Sequence, residues 1–495
     1  MLASLIALDR TDGEGLSRQL FMQIRRLIER GRLKPGSRLP ASRQLADDLG
    51  VGRNTVLLAY EQLGLEGYLD ADGRRGTRVS EASRGFRGSH HGVAEDAGAI
   101  PSPHLSQTAL RLMGVPRREE TRSMTFLPGM PEVRQFPHDV WARLMRRAAR
   151  QVASREALLG YAHYTGLPML KEAILEHVAL ARGVVADMDQ VMILSSAQAA
   201  QDLVARMLLD AGDVALHEEP GYAGMTAALA GVCAKTLPIR IDAAAPYLGL
   251  AGEESGAEIP RLIYSSPSHQ FPTGRVMALD ERLALLRYAQ ERDCFILEDD
   301  YDSEFHFSGA PLSSLQGLDR RGLVIYMGTF SKALNPGLRV AYLIVPKRLV
   351  EAAGRCLRNV GSVPSVTVQW ALRDFLREGH FRSHVLRMNR LYRQRRDCLV
   401  EQLRAQASDW LLPVVPDGGI QLPAYFCGKA VGLDDRALLG AMQEAGMEGS
   451  ALSSLYWSGR TETRHGLLLG FAASDEVAIR RGVGQLASLL CKMAP

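Results

Sequence analysis

No apolar run in this chain approaches the roughly 18 residues that a membrane-spanning helix needs. A secretory leader is lacking too, because Asp9, Arg10 and Asp12 follow the start too soon for an apolar core to form. Cysteine is scarce: Cys233, Cys294, Cys356, Cys398, Cys427 and Cys491 are scattered, and no pair forms C-x-x-C. That spacing excludes a disulfide framework and a sequence-local metal site, and it reads as reduced, structural thiols. A charge excess is also missing, with 59 Lys+Arg against 55 Asp+Glu and a net charge of +4. So mild a balance names no partner by itself. These absences describe a cytoplasmic chain with no membrane partner and no metal.

With 495 residues, 46% of them hydrophobic and 23% charged, the chain is soluble and too long for one ordinary core. Its most informative stretch is Tyr326 to Arg339, Y-M-G-T-F-S-K-A-L-N-P-G-L-R. Apolar runs enter it at Leu323–Met327 and leave it at Val340–Val345, which predicts strand, hydroxyl-rich turn, strand. A lysine held between two core strands is expensive unless used, and desolvation would make it a neutral nucleophile. Thr329 and Ser331 place hydroxyls beside Lys332, and Arg339 adds a cation. Amine, hydroxyls and arginine together suit a Schiff base to a phosphorylated aldehyde, pyridoxal 5'-phosphate. An isolated S-K would more simply be a solvated surface turn, so the rest of the chain has to decide.

The first eighty residues carry a different pattern. Leu16, Leu20, Ile24, Leu27 and Ile28 have helical spacing, and Gly31 with K-P-G at 34–36 ends that helix. A short helix opens at Pro40-Ala41-Ser42-Arg43, Gly50-Val51-Gly52 turns the chain, and a third helix follows from Arg53. This is the helix-turn-helix layout, whose second helix enters the major groove by its N-terminal residues, here Arg53, Asn54 and Thr55. Tyr68-Leu69 and Thr77–Ser80 read as a two-stranded wing, with Arg74, Arg75 and Arg78 near its tip. Residues 1–80 hold 13 Lys+Arg against 10 Asp+Glu, so the alternative is a helical interaction module with solvated charges.

The run R-L-K-P-G-S-R-L-P-A-S-R-Q-L-A-D-D-L-G-V-G-R-N-T-V-L-L-A-Y-E-Q-L, Arg32 to Leu63, closely resembles the winged helix of GntR-type bacterial regulators. The resemblance implies that Arg38, Ser42, Arg43, Arg53, Asn54, Thr55 and the wing at Arg74, Arg75 and Gly76 face double-stranded DNA. It departs from the family near Arg74, where a glycine is usual.

From residue 81 to 122 periodicity fades while Gly, Ser, His and Pro rise, which predicts a flexible linker with one short helix near Leu105–Met113. The pair His90-His91 lacks further ligands at metal spacing. The organisation is therefore a winged helix over 10–80, a linker over 81–122 and a large domain over 123–495.

That large domain alternates helical patterns with apolar strands at Val191–Leu194, Val214–Leu216, Leu262–Tyr264, Phe295–Leu297, Val324–Met327 and Ala341–Val345. Such alternation predicts an α/β domain with a mainly parallel sheet, whose ligands gather at the carboxyl ends of strands. The polar residues found there form a set. Ser196 and Ala197 open a helix whose N–H groups can bind phosphate. Tyr222 can lie against a planar ring. Glu298-Asp299-Asp300-Tyr301-Asp302 ends a buried strand, and an aspartate there could pair with a pyridinium.

H-E-E-P-G-Y, P-S-H-Q-F-P-T-G, E-D-D-Y-D-S-E-F and G-T-F-S-K-A-L-N-P-G-L-R are similar to fold-type I aminotransferases, and most closely to the MocR/GabR group of regulators. The resemblance spans nearly the whole chain. It implies an internal aldimine on Lys332, Asp299 on the pyridine nitrogen, Tyr301 on the ring hydroxyl and Tyr222 stacked on the ring. Thr329, Ser331, Arg339 and the backbone at Ser196 and Ala197 would hold the phosphate. Tyr161 would reach a neighbouring subunit, which implies a homodimer. Ser196 stands where a glycine is usual, and Gly224 lies near a position that holds a substrate-binding arginine in at least one branch. Arg464, with Arg460 close by, is the candidate for an effector carboxylate. The six arginines from Arg382 to Arg396 read as a solvated helix face. The expected function is a regulator that binds an operator and senses an amine, an amino acid or pyridoxal 5'-phosphate itself. The alternative is a working aminotransferase that carries a DNA-binding head.

Overall fold

Leu20, Ile24 and Ile28 fall on one face of α1 (Leu16–Glu29) and are buried. They meet Leu45 of α2 (Ser42–Leu49) and Val56, Ala59 and Leu63 of α3 (Arg53–Leu65). Leu69 and Val79 close this core from the antiparallel hairpin of β1 (Leu69–Asp72) and β2 (Gly76–Val79), where they are direct partners. Gly50 ends α2 at φ +64, a left-handed conformation that costs glycine little. The N-terminal segment braces that turn: Leu2 and Ile6 join the core, and Arg10 donates to the Gly50 carbonyl at 2.6 Å.

The computed structural model describes residues 2–11, 13–72, 76–83, 105–115, 123–158, 160, 163–243, 245–252, 258–308, 313–459 and 463–494. They form two units, Met1–His104 and Leu105–Pro495. The second begins with α4 (Gln107–Gly114), the short helix expected near Leu105–Met113, which packs against a helix of the large unit.

In chain order the large unit continues with α5 (His138–Ala153), α6 (Pro168–Arg182), β3 (Val191–Leu194), α7 (Ala197–Leu208), β4 (Val214–Glu219), α8 (Ala223–Gly231) and β5 (Lys235–Arg240). Then come β6 (Pro260–Ser265), α9 (Leu279–Glu291), β7 (Phe295–Asp300), α10 (Leu315–Leu318), β8 (Val324–Thr329), α11 (Phe330–Ala333) and β9 (Ala341–Ile344). The seven strands run in the order β3-β9-β8-β7-β6-β4-β5, and only β9 lies antiparallel to its neighbours. Helices cover both faces, so β3, β4 and β8 are buried throughout. Leu203, Leu229 and Leu357 pack on one face against Leu194, Leu262 and Ile325. Leu285 and Leu315 pack on the other against Ile263, Ile296 and Val324. β5 escapes the sequence pattern because it is an edge strand, half-exposed and interrupted by Pro238.

Beyond the sheet lie α12 (Val350–Val360), α13 (Val366–Arg377) and α14 (His380–Gln406). A second sheet follows, from β10 (Leu411–Pro413), β11 (Gln421–Phe426), α15 (Asp435–Glu444), β12 (Ser450–Ala451), β13 (Gly466–Gly470) and α16 (Glu476–Met493). Its four strands are antiparallel in the order β10-β11-β13-β12. The arginine-rich face of α14 is not wholly solvated. Arg395 is buried against Glu132 at 2.9 Å, and Arg396 donates to the Pro416 carbonyl at 2.8 Å. Acids and carbonyls brought by distant segments satisfy these two, which helical spacing alone could not reveal. Among the described residues no helix is long and apolar enough to cross a membrane.

Candidate cofactor cavity and DNA-reading face

Three consecutive acids end β7, and each meets a different fate. Glu298 accepts from the Leu315 and Gln316 N–H groups at 2.8 and 2.9 Å, and burial beside Asp300 still pushes its pKa up to about 7. Asp300 takes the Arg182 guanidinium at 2.8 Å and the Tyr326 hydroxyl at 2.5 Å. Burial works to raise its pKa, but Arg182 and Tyr326 outweigh burial and hold it below the usual range. Asp299 has only neutral donors, the Tyr264 hydroxyl at 2.6 Å and the Gln201 amide at 3.2 Å. Burial pushes its pKa up to about 7, with Asp300 and Glu218 adding to the rise against those two hydrogen bonds. A buried carboxyl held only by neutral donors, in the wall of a cavity, fits a cationic ring N–H.

β8 leads directly into the lysine turn. The Thr329 hydroxyl caps α11 by accepting from the Ser331 N–H at 3.2 Å. One turn on, Lys332 Nζ donates to the Gly129 carbonyl at 2.7 Å. Gly129 has φ +73, and a Cβ there would lie 2.9 Å from the amine, so only glycine lets the backbone approach so closely. Arg339 follows a single turn and itself adopts φ +54, which directs its exposed side chain to the same cavity. On the far side, Ser196 caps α7 through its hydroxyl, which accepts from the Ala199 N–H at 3.1 Å. The serine that replaces an expected glycine is thus occupied within its own helix, and it leaves the first N–H groups of α7 to a ligand.

These residues surround one cavity of about 450 Å³. Its wall includes Ser196, Ala197, Tyr222, Asp299, Tyr301, Thr329, Ser331, Lys332 and Arg339, brought together from four strand ends. It also includes Gln198 and Phe271, from stretches the sequence singled out without giving these two a role, and Tyr264, Gln421, Ser450 and Leu468, which sequence reasoning missed. Tyr264 was readable only as strand core, and Gln421, Ser450 and Leu468 come from the second sheet, whose chain segments carry no motif. Arg464 is not in the wall; it is exposed and lies over the Tyr425 ring at 3.9 Å. Tyr161 and Arg460 fall outside the described residues. A hollow of about 490 Å³ near Trp370 and Met169 is almost wholly apolar and holds none of these groups.

In the first unit several of the expected DNA contacts are exposed. Arg53 and Asn54 are exposed at the first turn of α3, with Thr55 half-buried beside them. Arg38 and Arg43 are exposed, and Ser42 begins α2. A Cβ at Gly76 would come within 3.0 Å of Arg38 Nε, so this glycine seats the Arg38 side chain against the wing. Arg78 is tied to the Gly36 carbonyl at 2.9 Å and braces the wing. Arg74 and Arg75 lie outside the described residues.

Comparison with known proteins agrees with both halves. Residues 16–79 match the model for bacterial regulatory proteins of the gntR family, and residues 133–424 match aminotransferase class I and II. The probable rhizopine catabolism regulatory protein MocR of Rhizobium meliloti is 40% identical over 98% of this chain and 95% of its own. The chain belongs to the MocR/GabR-type subfamily of GntR transcription regulators. Another relative of this regulator, the pyridoxine biosynthesis regulator PdxR of Corynebacterium glutamicum, is 30% identical over 97% of each chain. The large unit is similar to LysN, the α-aminoadipate aminotransferase of Thermus thermophilus, solved with N-(5'-phosphopyridoxyl)-L-leucine. That match has 27% identity and a TM-score of 0.68 over 81% of this chain and 97% of LysN. The regulator's cofactor is pyridoxal 5'-phosphate. The donor set fits it: an amine, an unpaired buried carboxyl, and hydroxyls with an arginine beside a helix N-terminus.

Proposed function

We propose that this cytoplasmic regulator reads an operator with its winged helix and senses a small molecule with its aminotransferase-like unit. The observation that carries the proposal is one chain holding both an exposed Arg53-Asn54-Thr55 edge and a cavity where Lys332 and Asp299 share a wall. Pyridoxal 5'-phosphate, when bound, supplies an aldehyde that condenses with primary amines and a ring that takes up electron density. Lys332 would hold it covalently, and Asp299, oriented by Tyr264 and Gln201, would keep the ring nitrogen protonated. Tyr301 would pair with the ring hydroxyl, and Tyr222 would stack on the ring. Thr329, Ser331, Arg339 and the start of α7 would hold the phosphate. Tyr161 would complete the phosphate site of a neighbouring subunit in a homodimer.

The signal is an amine, an amino acid or the cofactor itself. A ligand moves a regulator only through contacts that differ between two states, so the informative contacts are those made after the ligand reaches Lys332. The test is a visible spectrum of the purified protein before and after pyridoxal 5'-phosphate, then with a panel of amines, alongside DNA binding by the same samples. A band that shifts with one compound, together with a change in DNA affinity, supports the proposal. Absence of any band with cofactor in excess overturns it.

A second reading, a working aminotransferase with a DNA-binding head, is favoured by the cavity's complete set of Lys332, Asp299, Tyr301 and Arg339. Multiple-turnover amino transfer to a keto acid would establish it; a single stoichiometric turnover or none would exclude it.

A further inference from the structure

The effector end of the cavity is closed by the second sheet. Gln421 begins β11, Leu468 lies on β13, and Ser450 on β12 is the direct cross-strand partner of Leu468. Among the described residues of the wall, the cationic side chains are Lys332 and Arg339. Arg339 would hold the cofactor's phosphate and Lys332 exchanges the aldehyde with the incoming amine, so neither cation belongs to the second sheet. Resting on the cofactor reading above, we infer that the signal is a neutral, hydroxyl-bearing primary amine, because the second-sheet part of the wall offers an amide with an unpartnered oxygen and a hydroxyl and, among the described residues, no cation for a carboxylate.

Gln421 is the strongest support. It is 7% exposed, and its side-chain oxygen is buried without a hydrogen-bond partner. Such an acceptor is costly until a donor reaches it. A carboxylate has no proton to give to that oxygen. A hydroxyl group satisfies it. Ser450 can donate to or accept from a second hydroxyl, while Leu468 covers a carbon face between them.

Among the described residues, the arginines that could receive a carboxylate are engaged elsewhere. Arg134 and Arg395 both pair with Glu132, at 2.6 and 2.9 Å, just beyond Gly129. Arg464 lies over Tyr425. No longer side chain fits at Gly224, where a Cβ would come within 2.3 Å of the Tyr222 ring and 2.4 Å of Gln198 Oε1. An unpaired carboxylate placed against Leu468 and Gln421 would therefore lose its hydration without compensation.

The test uses the full-length protein loaded with pyridoxal 5'-phosphate and follows its visible band during titration with propylamine, 2-amino-1,3-propanediol and serine. Serine differs from the diol by a carboxylate in place of one hydroxymethyl group. The diol should half-saturate the shift at a concentration about tenfold or more below that of serine. Gln421→Leu should cut the diol's advantage over propylamine about tenfold, and Ser450→Ala should cut it by less. Leu468→Arg should reverse the order and favour serine. Serine binding as well as or better than the diol to the unmodified protein would overturn the inference. So would a band that responds to propylamine alone, or a diol advantage that survives both Gln421→Leu and Ser450→Ala. No band at all would fail the underlying cofactor reading instead, and the two failures are distinct.

Discussion

The two units use arginine in opposite ways. In the winged helix Arg38, Arg43 and Arg53 are exposed, on or beside short helices, where a guanidinium stays hydrated until a phosphate displaces the water. In the large unit Arg182, Arg282 and Arg395 are buried, and each is held by acids or carbonyls from remote segments, Arg282 by the Ser313 carbonyl. Arg339 stands between these cases, exposed yet set in the cavity wall by a left-handed backbone. Charge thus reads a ligand where it is exposed and builds the scaffold where it is buried. Polar residues at strand ends follow the same division: Glu218 accepts five hydrogen-bond contacts from Tyr247, Ser265, Ser266 and Gln270, whereas Asp299 faces the cavity.

Substitutions can break this division, and the largest effect belongs to Lys332. Lys332→Ala should abolish the visible band of covalently held cofactor while the winged helix still folds; an unchanged band would mean another amine holds the cofactor. Next is Arg182→Leu, which strands Asp300 as an uncompensated buried charge. It should cost about 3–5 kcal/mol, read from denaturant unfolding of the large unit, with the winged helix unaffected. Arg53→Ala should weaken operator binding roughly tenfold and leave the cofactor band intact. Loss of the band in that variant would contradict the division of labour between the units. Ser196→Ala removes the cap of α7 and should cost about 1 kcal/mol of stability.

The smallest effect is one of pH. His269 is buried against Asp302 at 2.8 Å. Burial lowers its pKa, but Asp302 and Asp300 outweigh both burial and the nearby Arg182, so the net direction is upward. A raised histidine pKa contributes stability that is full below the unfolded value of about 6.5 and is lost as pH rises through the folded value. His269→Gln should therefore lower Tm more at pH 6 than at pH 8; an equal loss at both would show that folding leaves the imidazole's pKa unshifted.

Much of this was legible before any fold was known, for identifiable reasons. The winged helix is local: its helices and wing all lie between Leu16 and Val79, and helix spacing with Gly50 and Gly52 at the turn announces it. The phosphate side of the cavity is nearly as local, since Thr329, Ser331, Lys332 and Arg339 share one turn after a fully apolar strand. The second-sheet side of the cavity left no trace in sequence. Gln421, Ser450 and Leu468 sit on three short strands, whereas Arg464, conspicuous in sequence by its charge, lies outside the cavity wall. The same bias made the arginines of α14 look solvated, although Arg395 and Arg396 are buried.

The sequence by itself determined which elements form and which chemistry the lysine turn can perform, because hydrophobic period, turn residues and strand ends act over a few residues. Only the tertiary structure decided which acid of Glu298-Asp299-Asp300 faces the cavity, which arginines are used up in ion pairs, and that an amide, a hydroxyl and a leucine close its far end. Those outcomes depend on which distant segment supplies a partner, and a partner's distance along the chain says nothing about its distance in space.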